Sequence, residues 1–286
     1  MIFIGIMINL ALQILATKNP LMEIFEILGY VGALLVGVVL GLIGGGGSIL
    51  TVPILVYLFF LNPITATAYS LFTVGTTALV GAIRNSFNNL VDFKTAIIFA
   101  GPAFIAVFLT RRFLIPSVPD IIFQANGKIL SKEMAIMLLF ATIMLLAAIT
   151  MIRNKRPEPE PNTKISYNYP IIFVQGIFLG LVTGSIGAGG GFLIIPALVL
   201  LAKLPMKKAV ATSLLIIAIN SLLGFTGDII NLDIDWSFVL AFTGISVVGI
   251  FVGIWLNNFI DGKKLKKAFG WFVLAMGIYI FLKEFL

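Results

Sequence analysis

Long apolar runs, separated by short polar stretches, dominate the chain of 286 residues. A helix that crosses a bilayer needs about 20 predominantly apolar residues in a row. Eight runs approach or exceed that length, so the pattern predicts an all-α polytopic membrane protein. These runs lie at about 24–43, 65–83, 93–113, 133–152, 170–186, 209–227, 237–257 and 268–282.

Two shorter apolar runs, 49–61 and 192–202, each follow a glycine-rich stretch. At about 1.5 Å per residue, a helix of ~12 residues covers roughly 18 Å, which is less than the hydrocarbon core of a bilayer. Irregular backbone at membrane depth is tolerated only where it is buried in protein or lines a cavity. Both runs are therefore predicted to be broken or re-entrant helices.

The glycine-rich stretches are two copies of one motif. The copies occupy 41–53 and 184–196, and a constant offset of 143 residues aligns 41–92 with 184–235 without a gap. Matching positions include Gly, Pro, Ser, Asn and Asp, which a shared apolar composition does not place in register, so the chain is predicted to be an internal duplication. The predicted units are an N-terminal membrane helix at 1–17, a first five-helix repeat at 24–152, a linker at 153–169 and a second five-helix repeat at 170–286.

The amino-acid composition excludes some classes of partner and of chemistry. The chain is 60% hydrophobic and 11% charged, with a net charge of +7. The positive-inside rule explains this charge, because no basic stripe is interleaved with aromatic residues as nucleic-acid binding requires. We therefore expect a lipid bilayer and no nucleic acid as partner. The chain has no Cys and no His, so we expect no metal, no cofactor and no enzyme activity.

The distribution of basic residues predicts the topology. If each half crosses the membrane five times, 13 of the 19 Lys and Arg residues share one face. If the two short helices instead return to the face they left, the split is 11 to 8. The stronger bias favours five crossings for each half, with the linker on the cytoplasmic side of the inner membrane. An odd number of crossings also means that the second repeat is inserted upside down.

Inverted repeats with interrupted helices are typical of secondary transporters, with the binding site where the two breaks meet. A helix that restarts after glycines exposes unpaired amides and a partial positive charge, which suits a small anion. Ser70 and Ser213 supply hydroxyls in the apolar runs that follow. The predicted substrate-binding residues are Gly44, Gly45, Gly46, Gly47, Ser48, Ser70, Gly187, Gly189, Gly190, Gly191 and Ser213. Further polar candidates are Thr51, Thr73, Thr76, Thr77, Thr212 and Asn220.

Other interpretations of these residues stay open. Small residues such as those of Gly37-x-x-x-Gly41 and Gly180-x-x-x-Gly184 also suit close helix packing. Arg111 and Arg112 are expected to snorkel to the membrane surface. The alternative is that they attract anions to the non-cytoplasmic entrance of the transport path. The equivalent acids Asp92 and Asp235 are expected to favour helix N-termini, with proton coupling as the alternative. A dinucleotide or P-loop site is excluded because neither motif has its strand and turn here.

The motif resembles that of a known family. Gly-x-Ile-Gly-x-Gly-Gly precedes both Pro53 and Pro196, and Ala-x-Ala-x-Ser-Leu follows at 66–71 and again at 209–214. These residues resemble the TauE/SafE sulfite exporter family of membrane permeases. The resemblance implies transport of sulfite or a related organosulfur anion. The first copy has Ser48 where the second has Gly191.

Two functions of other classes remain as alternatives, an anion channel on the same scaffold and a structural membrane subunit. The residues leave the direction of transport, the coupling ion and the oligomeric state open.

Overall fold

A computed structural model gives the fold of the chain. It describes residues 20–45, 47–125, 128–153, 169–186, 191, 194–195, 198, 204, 206–257, 259 and 262–285. The predicted N-terminal helix at 1–17, most of the linker and most of the run 192–202 lie outside the described residues.

Within these ranges the chain is almost entirely helical, and all eight long apolar runs are helices as predicted. A short antiparallel hairpin, which the apolar pattern does not predict, connects the fourth and fifth helices. The elements are α1 Pro20–Ile43, α2 Ser48–Tyr57, α3 Pro63–Ser86, α4 Phe93–Ser117 with a π-helical turn at Thr110–Leu114, β1 Ile121–Ala125, β2 Lys128–Ser131, α5 Lys132–Arg153, α6 Tyr169–Ile186, α7 Met206–Asp228, α8 Trp236–Asn257 and α9 Gly262–Phe285.

Local chemistry explains where the central helices begin. Asn62 caps α3 by accepting a hydrogen bond from the N–H of Ile64 at 2.9 Å. Asp92 caps α4 by accepting from the N–H of Thr95 at 2.9 Å, and Asp235 caps α8 in the same way. A carboxylate at this position satisfies an N–H group that has no partner within the helix. The expectation that both acids favour helix starts is therefore confirmed.

Helices α3 and α7 form the centre of the molecule. In the most apolar segment of each of these two helices, 72% of the residues are buried, against 39–44% in the corresponding segments of α1, α4 and α8. The two helices are antiparallel, because Leu71 near the start of α3 contacts Gly224 near the end of α7, while Gly81 near the end of α3 contacts Leu214. By the 143-residue offset, α3 and α7 occupy equivalent positions in the two halves.

The outer helices exchange partners between the halves. Helix α1 packs on α8, where Gly37 and Gly41 lie against the backbone of Ser246 and Ile250. The equivalent helix α6 packs on α4, where Gly180 and Gly184 lie against Ala103 and Thr110. Both small-residue pairs therefore mediate close helix packing, which confirms that interpretation of them.

Two hydrogen bonds also join residues of opposite halves. The N–H of Asp92 donates to the hydroxyl of Thr212 at 3.0 Å, and the N–H of Asp235 donates to the hydroxyl of Tyr69 at 2.8 Å. Asp92 is equivalent to Asp235, and Tyr69 to Thr212. The starts of α4 and α8 are thus each tied to the central helix of the other half.

The outer surface is suited to lipid. Five helices in the described ranges are long and apolar enough to cross a membrane, namely Glu23–Ile43, Pro63–Ser86, Phe93–Ser117, Lys207–Asp228 and Trp236–Asn257. Large apolar side chains such as Ile97, Ile105, Val248 and Trp255 are exposed on α4 and α8. Contiguous exposed apolar faces of this kind mark contact with a membrane or a partner, and span length favours the membrane.

Candidate functional site

The first glycine stretch begins where α1 ends. Gly44 adopts a φ of +82°, a conformation that glycine adopts without strain, and its N–H bonds the carbonyl of Leu40 at 2.7 Å. This is the common way for a helix to terminate. A side chain on Gly44 would meet the hydroxyl of Ser213 and the backbone of Val210 within 3 Å. The structure therefore brings two of the predicted site residues, Gly44 and Ser213, into contact.

The two glycine motifs meet each other. A Cβ on Gly45 would lie 2.6 Å from the Cα of Gly191, and a Cβ on Gly191 would collide with Gly45 in turn. Gly47 is equally confined, because a Cβ there would meet the carbonyl of Val36 and the side chain of Leu40. A side chain therefore does not fit at Gly45, Gly47 or Gly191, and the two glycine motifs are in contact. In this conformation Gly44, Gly45 and Gly47 are buried, so the first break is closed to solvent at these positions.

Helix α2 restarts directly after the first motif, at Ser48. Its N-cap, Gly47, has no side chain that could accept a hydrogen bond from the first amides of the helix. The first N–H groups of an α-helix also precede the hydrogen bonds made within the helix. These amides carry the positive end of the helix dipole. The side chain of Ser48 and residues Gly46, Gly187, Gly189 and Gly190 lie outside the described part of the chain. Their proposed roles stay predictions.

Buried polar side chains without partners line the two central helices. In the described part of the chain, the hydroxyls of Ser70, Thr77 and Ser221 and the side-chain oxygen of Asn220 have no hydrogen-bond partner. All four residues are at most 2% exposed. Buried polar atoms are hydrogen-bonded in the large majority of cases, so unsatisfied ones indicate a strained, hydrated or ligand-binding position.

These four residues, Ser70, Thr77, Asn220 and Ser221, form what we call the polar stripe. Thr77 and Asn220 are equivalent positions in the two halves. They also lie at the same level of the two antiparallel helices, because Gly75 packs against the backbone of Leu222. The centre of the stripe therefore lies at the level of this contact between α3 and α7, which we call the crossing.

Other polar residues on the same helices are satisfied within the protein. The hydroxyl of Ser213 donates to the carbonyl of Val210 at 2.8 Å, and Thr73 bonds Thr243 at 3.0 Å. Ser70 lies level with the Gly224 region of α7, so at about 1.5 Å per residue it is more than about 15 Å along the helices from Ser213. One small anion does not reach both hydroxyls, and the two serines occupy opposite sides of the crossing.

A buried charged pair lies at the end of α7. Arg111, in the π-helical turn of α4, is fully buried and faces Asp228 at the end of α7, with Nε and Oδ2 separated by 3.3 Å. The expectation that Arg111 snorkels to the membrane surface is therefore wrong, because its side chain turns inward to a buried carboxylate. Asp228 and Ser221 are polar centres that the sequence interpretation did not single out.

Comparison with known proteins agrees with the fold and the motif. The family model for the sulfite exporter TauE/SafE matches residues 30–280. A probable membrane transporter protein of Xylella fastidiosa (strain 9a5c) is 29% identical over 251 residues, which cover 86% of this chain and 91% of that protein. The probable membrane transporter protein YunE of Bacillus subtilis (strain 168) is 28% identical over 277 residues, covering 90% and 95%. No solved structure matches the chain.

The family match spans both glycine motifs, both central helices and the outer helices that exchange between the halves. The described helices are those of a multi-pass membrane protein. The chain therefore belongs to the TauE/SafE sulfite exporter family of membrane transporters.

Proposed function

We propose that this protein is a secondary transporter of small anions, with sulfite or a related organosulfur anion as substrate. The observation that carries the proposal is the polar stripe at the crossing of α3 and α7, beside the point where Gly45 meets Gly191. An unsatisfied polar atom in a membrane interior is costly, and a polar substrate on its path supplies the missing hydrogen bonds.

The chemistry of the stripe favours an anion. Hydroxyl groups donate hydrogen bonds to an oxyanion, and the restart of α2 at Ser48 adds amides at the positive end of a helix. The charged residues of α3 and α7, which are Arg84, Lys207, Lys208 and Asp228, lie in the terminal turns of those helices. A site built from partial charges binds a small anion weakly enough to release it. The description of the family names sulfite, and the names of the two relatives specify only a probable membrane transporter.

The arrangement of the halves supports alternating access. Equivalent helices α3 and α7 are antiparallel. This is the arrangement that a two-fold axis parallel to the membrane would produce. In many transporters, inverted repeats rock around a central site, and we propose the same for the two halves here. The buried glycines of the first break fit an occluded conformation, with Ser70 on one side of the crossing and Ser213 on the other.

Flux through reconstituted protein tests the proposal. Purified full-length protein in proteoliposomes is expected to take up labelled sulfite with saturable kinetics and to exchange internal for external sulfite. Single-channel currents would favour the anion channel instead. If liposomes with correctly folded protein move sulfite, thiosulfate, sulfoacetate and small carboxylates no faster than empty liposomes, the protein is not a transporter of this class and the structural-subunit alternative gains support.

A further inference from the structure

The buried pair of Arg111 and Asp228 is chemically incomplete. Nε of Arg111 lies 3.3 Å from the carboxylate, and in the part of the chain that the structure describes none of the three guanidinium nitrogens has a hydrogen-bond partner. A guanidinium carries five N–H donors in a planar fork that matches two oxygens of an oxyanion. Arg111 is fully buried, so water in bulk does not serve these donors.

The equivalent position in the other half of the chain has no such ion pair. Under the 143-residue offset, Arg111 is equivalent to Ile254 and Asp228 to Asn85. In the first half, the side chain of Asn85 bonds the carbonyl of Gly81 on its own helix at 2.9 Å. The same position in the duplicated fold is therefore occupied by one apolar and one neutral residue. A buried ion pair that is only structural is commonly neutral or unfavourable relative to such a replacement.

The location of Arg111 connects it to the second glycine motif. Its neighbour Thr110 touches Gly184, which is three residues from Gly187. On its other side, Arg111 packs against Gly227 of α7, where a Cβ would lie 3.1 Å from the Cβ of Arg111. The residue also lies in a π-helical turn, a distortion that occurs frequently at functional sites. Arg111 is thus a buried positive charge between the last turns of α6 and α7.

We propose that Arg111 is a second anion-binding position, at which a small oxyanion replaces Asp228 as the partner of the guanidinium. Asp228 acts as an internal counter-anion that holds Arg111 while the path is empty. An arriving carboxylate, sulfonate or sulfite offers the same paired oxygens and completes the fork in a two-oxygen geometry. This inference rests on the proposed anion transport and adds the charged residue that the polar stripe lacks.

The test compares three variants of the full-length protein with the wild type in detergent. Asp228→Asn removes the competing carboxylate while keeping the residue shape, so sulfite is expected to stabilise this variant at about tenfold lower concentration than the wild type. The double variant Arg111→Ile with Asp228→Asn reproduces the equivalent pair Ile254 and Asn85 and is expected to fold. It should need at least about tenfold more sulfite than the wild type, because the guanidinium is gone.

Arg112→Gln is the matched control, since it removes one positive charge from the adjacent and partly exposed position. Its sulfite dependence is expected to equal that of the wild type. The measurement is the shift of the thermal midpoint with sulfite, and with sulfate and chloride as further anions. Equal sulfite dependence in the wild type, the Asp228→Asn protein and the double variant would overturn the Arg111 site, and sulfite flux by the wild type would then leave the proposed function intact. Stabilisation of only the Asp228→Asn protein by an anion would also overturn the site, because it would show that an anion does not displace Asp228 in the wild type. Absence of any anion effect in all four proteins would overturn it as well.

Discussion

Replacing Thr77 by Val separates a ligand-binding role from a structural one. The hydroxyl of Thr77 is fully buried and has no partner among the described residues. Valine has nearly the same shape without the hydroxyl, so the change removes an unsatisfied polar group and leaves packing intact. We expect the free energy of unfolding to stay the same or rise by up to about 1 kcal/mol.

The expected functional effect has the opposite sign. A hydrogen bond to a charged ligand contributes about 1.5–3 kcal/mol, which corresponds to roughly a 10- to 150-fold weaker apparent affinity when it is lost. The assay is the KM for sulfite uptake into proteoliposomes, read together with the thermal midpoint of the same preparation. A higher KM at an unchanged or higher midpoint is the result that a substrate-binding hydroxyl gives.

Thr73 provides the control on the same helix. Its hydroxyl is also buried, but it bonds Thr243 at 3.0 Å. Thr73→Val therefore leaves the Thr243 hydroxyl without that partner and is expected to cost about 1–3 kcal/mol of stability, with little change in KM. If Thr77→Val and Thr73→Val change KM and stability in the same way, the unsatisfied hydroxyl has no special relation to the substrate and the polar stripe is not the binding site.

Two further outcomes test the packing and the topology. Gly37→Ala is expected to destabilise the protein by about 1–3 kcal/mol, because its Cβ would meet the carbonyl of Ser246. The control Gly244→Ala adds a methyl group where nothing lies within 4 Å and should be neutral or slightly stabilising. Equal thermal midpoints for the two variants would contradict the close packing of α1 on α8. A cysteine at Glu160, the first in a chain without native Cys, is expected to react with an impermeant reagent only from the cytoplasmic side, and labelling only from outside would reverse the orientation.

The sequence predicted the helices well because hydrophobic length is a strong signal in a membrane protein. Local patterns also predicted the helix caps at Asp92 and Asp235 and the packing role of Gly37. The hairpin was missed although its signal is present. The residues between its strands read Asn126-Gly127, the dipeptide most typical of a two-residue hairpin turn.

The buried pair of Arg111 and Asp228 was not predictable from local sequence. Arg111 lies near the end of an apolar run, where a basic residue normally reaches the membrane surface. Its burial depends on Gly227, which leaves room for the side chain, and on a carboxylate 117 residues away in the chain. The unsatisfied state of Thr77 and Ser221 has the same origin, because it depends on which groups the helix crossing leaves within reach.

Differences between the halves bear directly on the transport cycle. If the repeats are inverted as proposed, a chain with two identical halves would have inward-facing and outward-facing conformations of equal free energy, because the two-fold operation interconverts them. The contact of Thr73 with Thr243 has no counterpart in the other half, where Ile216 and Ala100 occupy the equivalent positions. One hydrogen bond of about 1 kcal/mol formed in a single conformation shifts such an equilibrium to roughly five to one. The resting conformation of this protein would then depend on a small number of asymmetric contacts, and Thr73→Val should move the population toward equality while the substrate site stays intact.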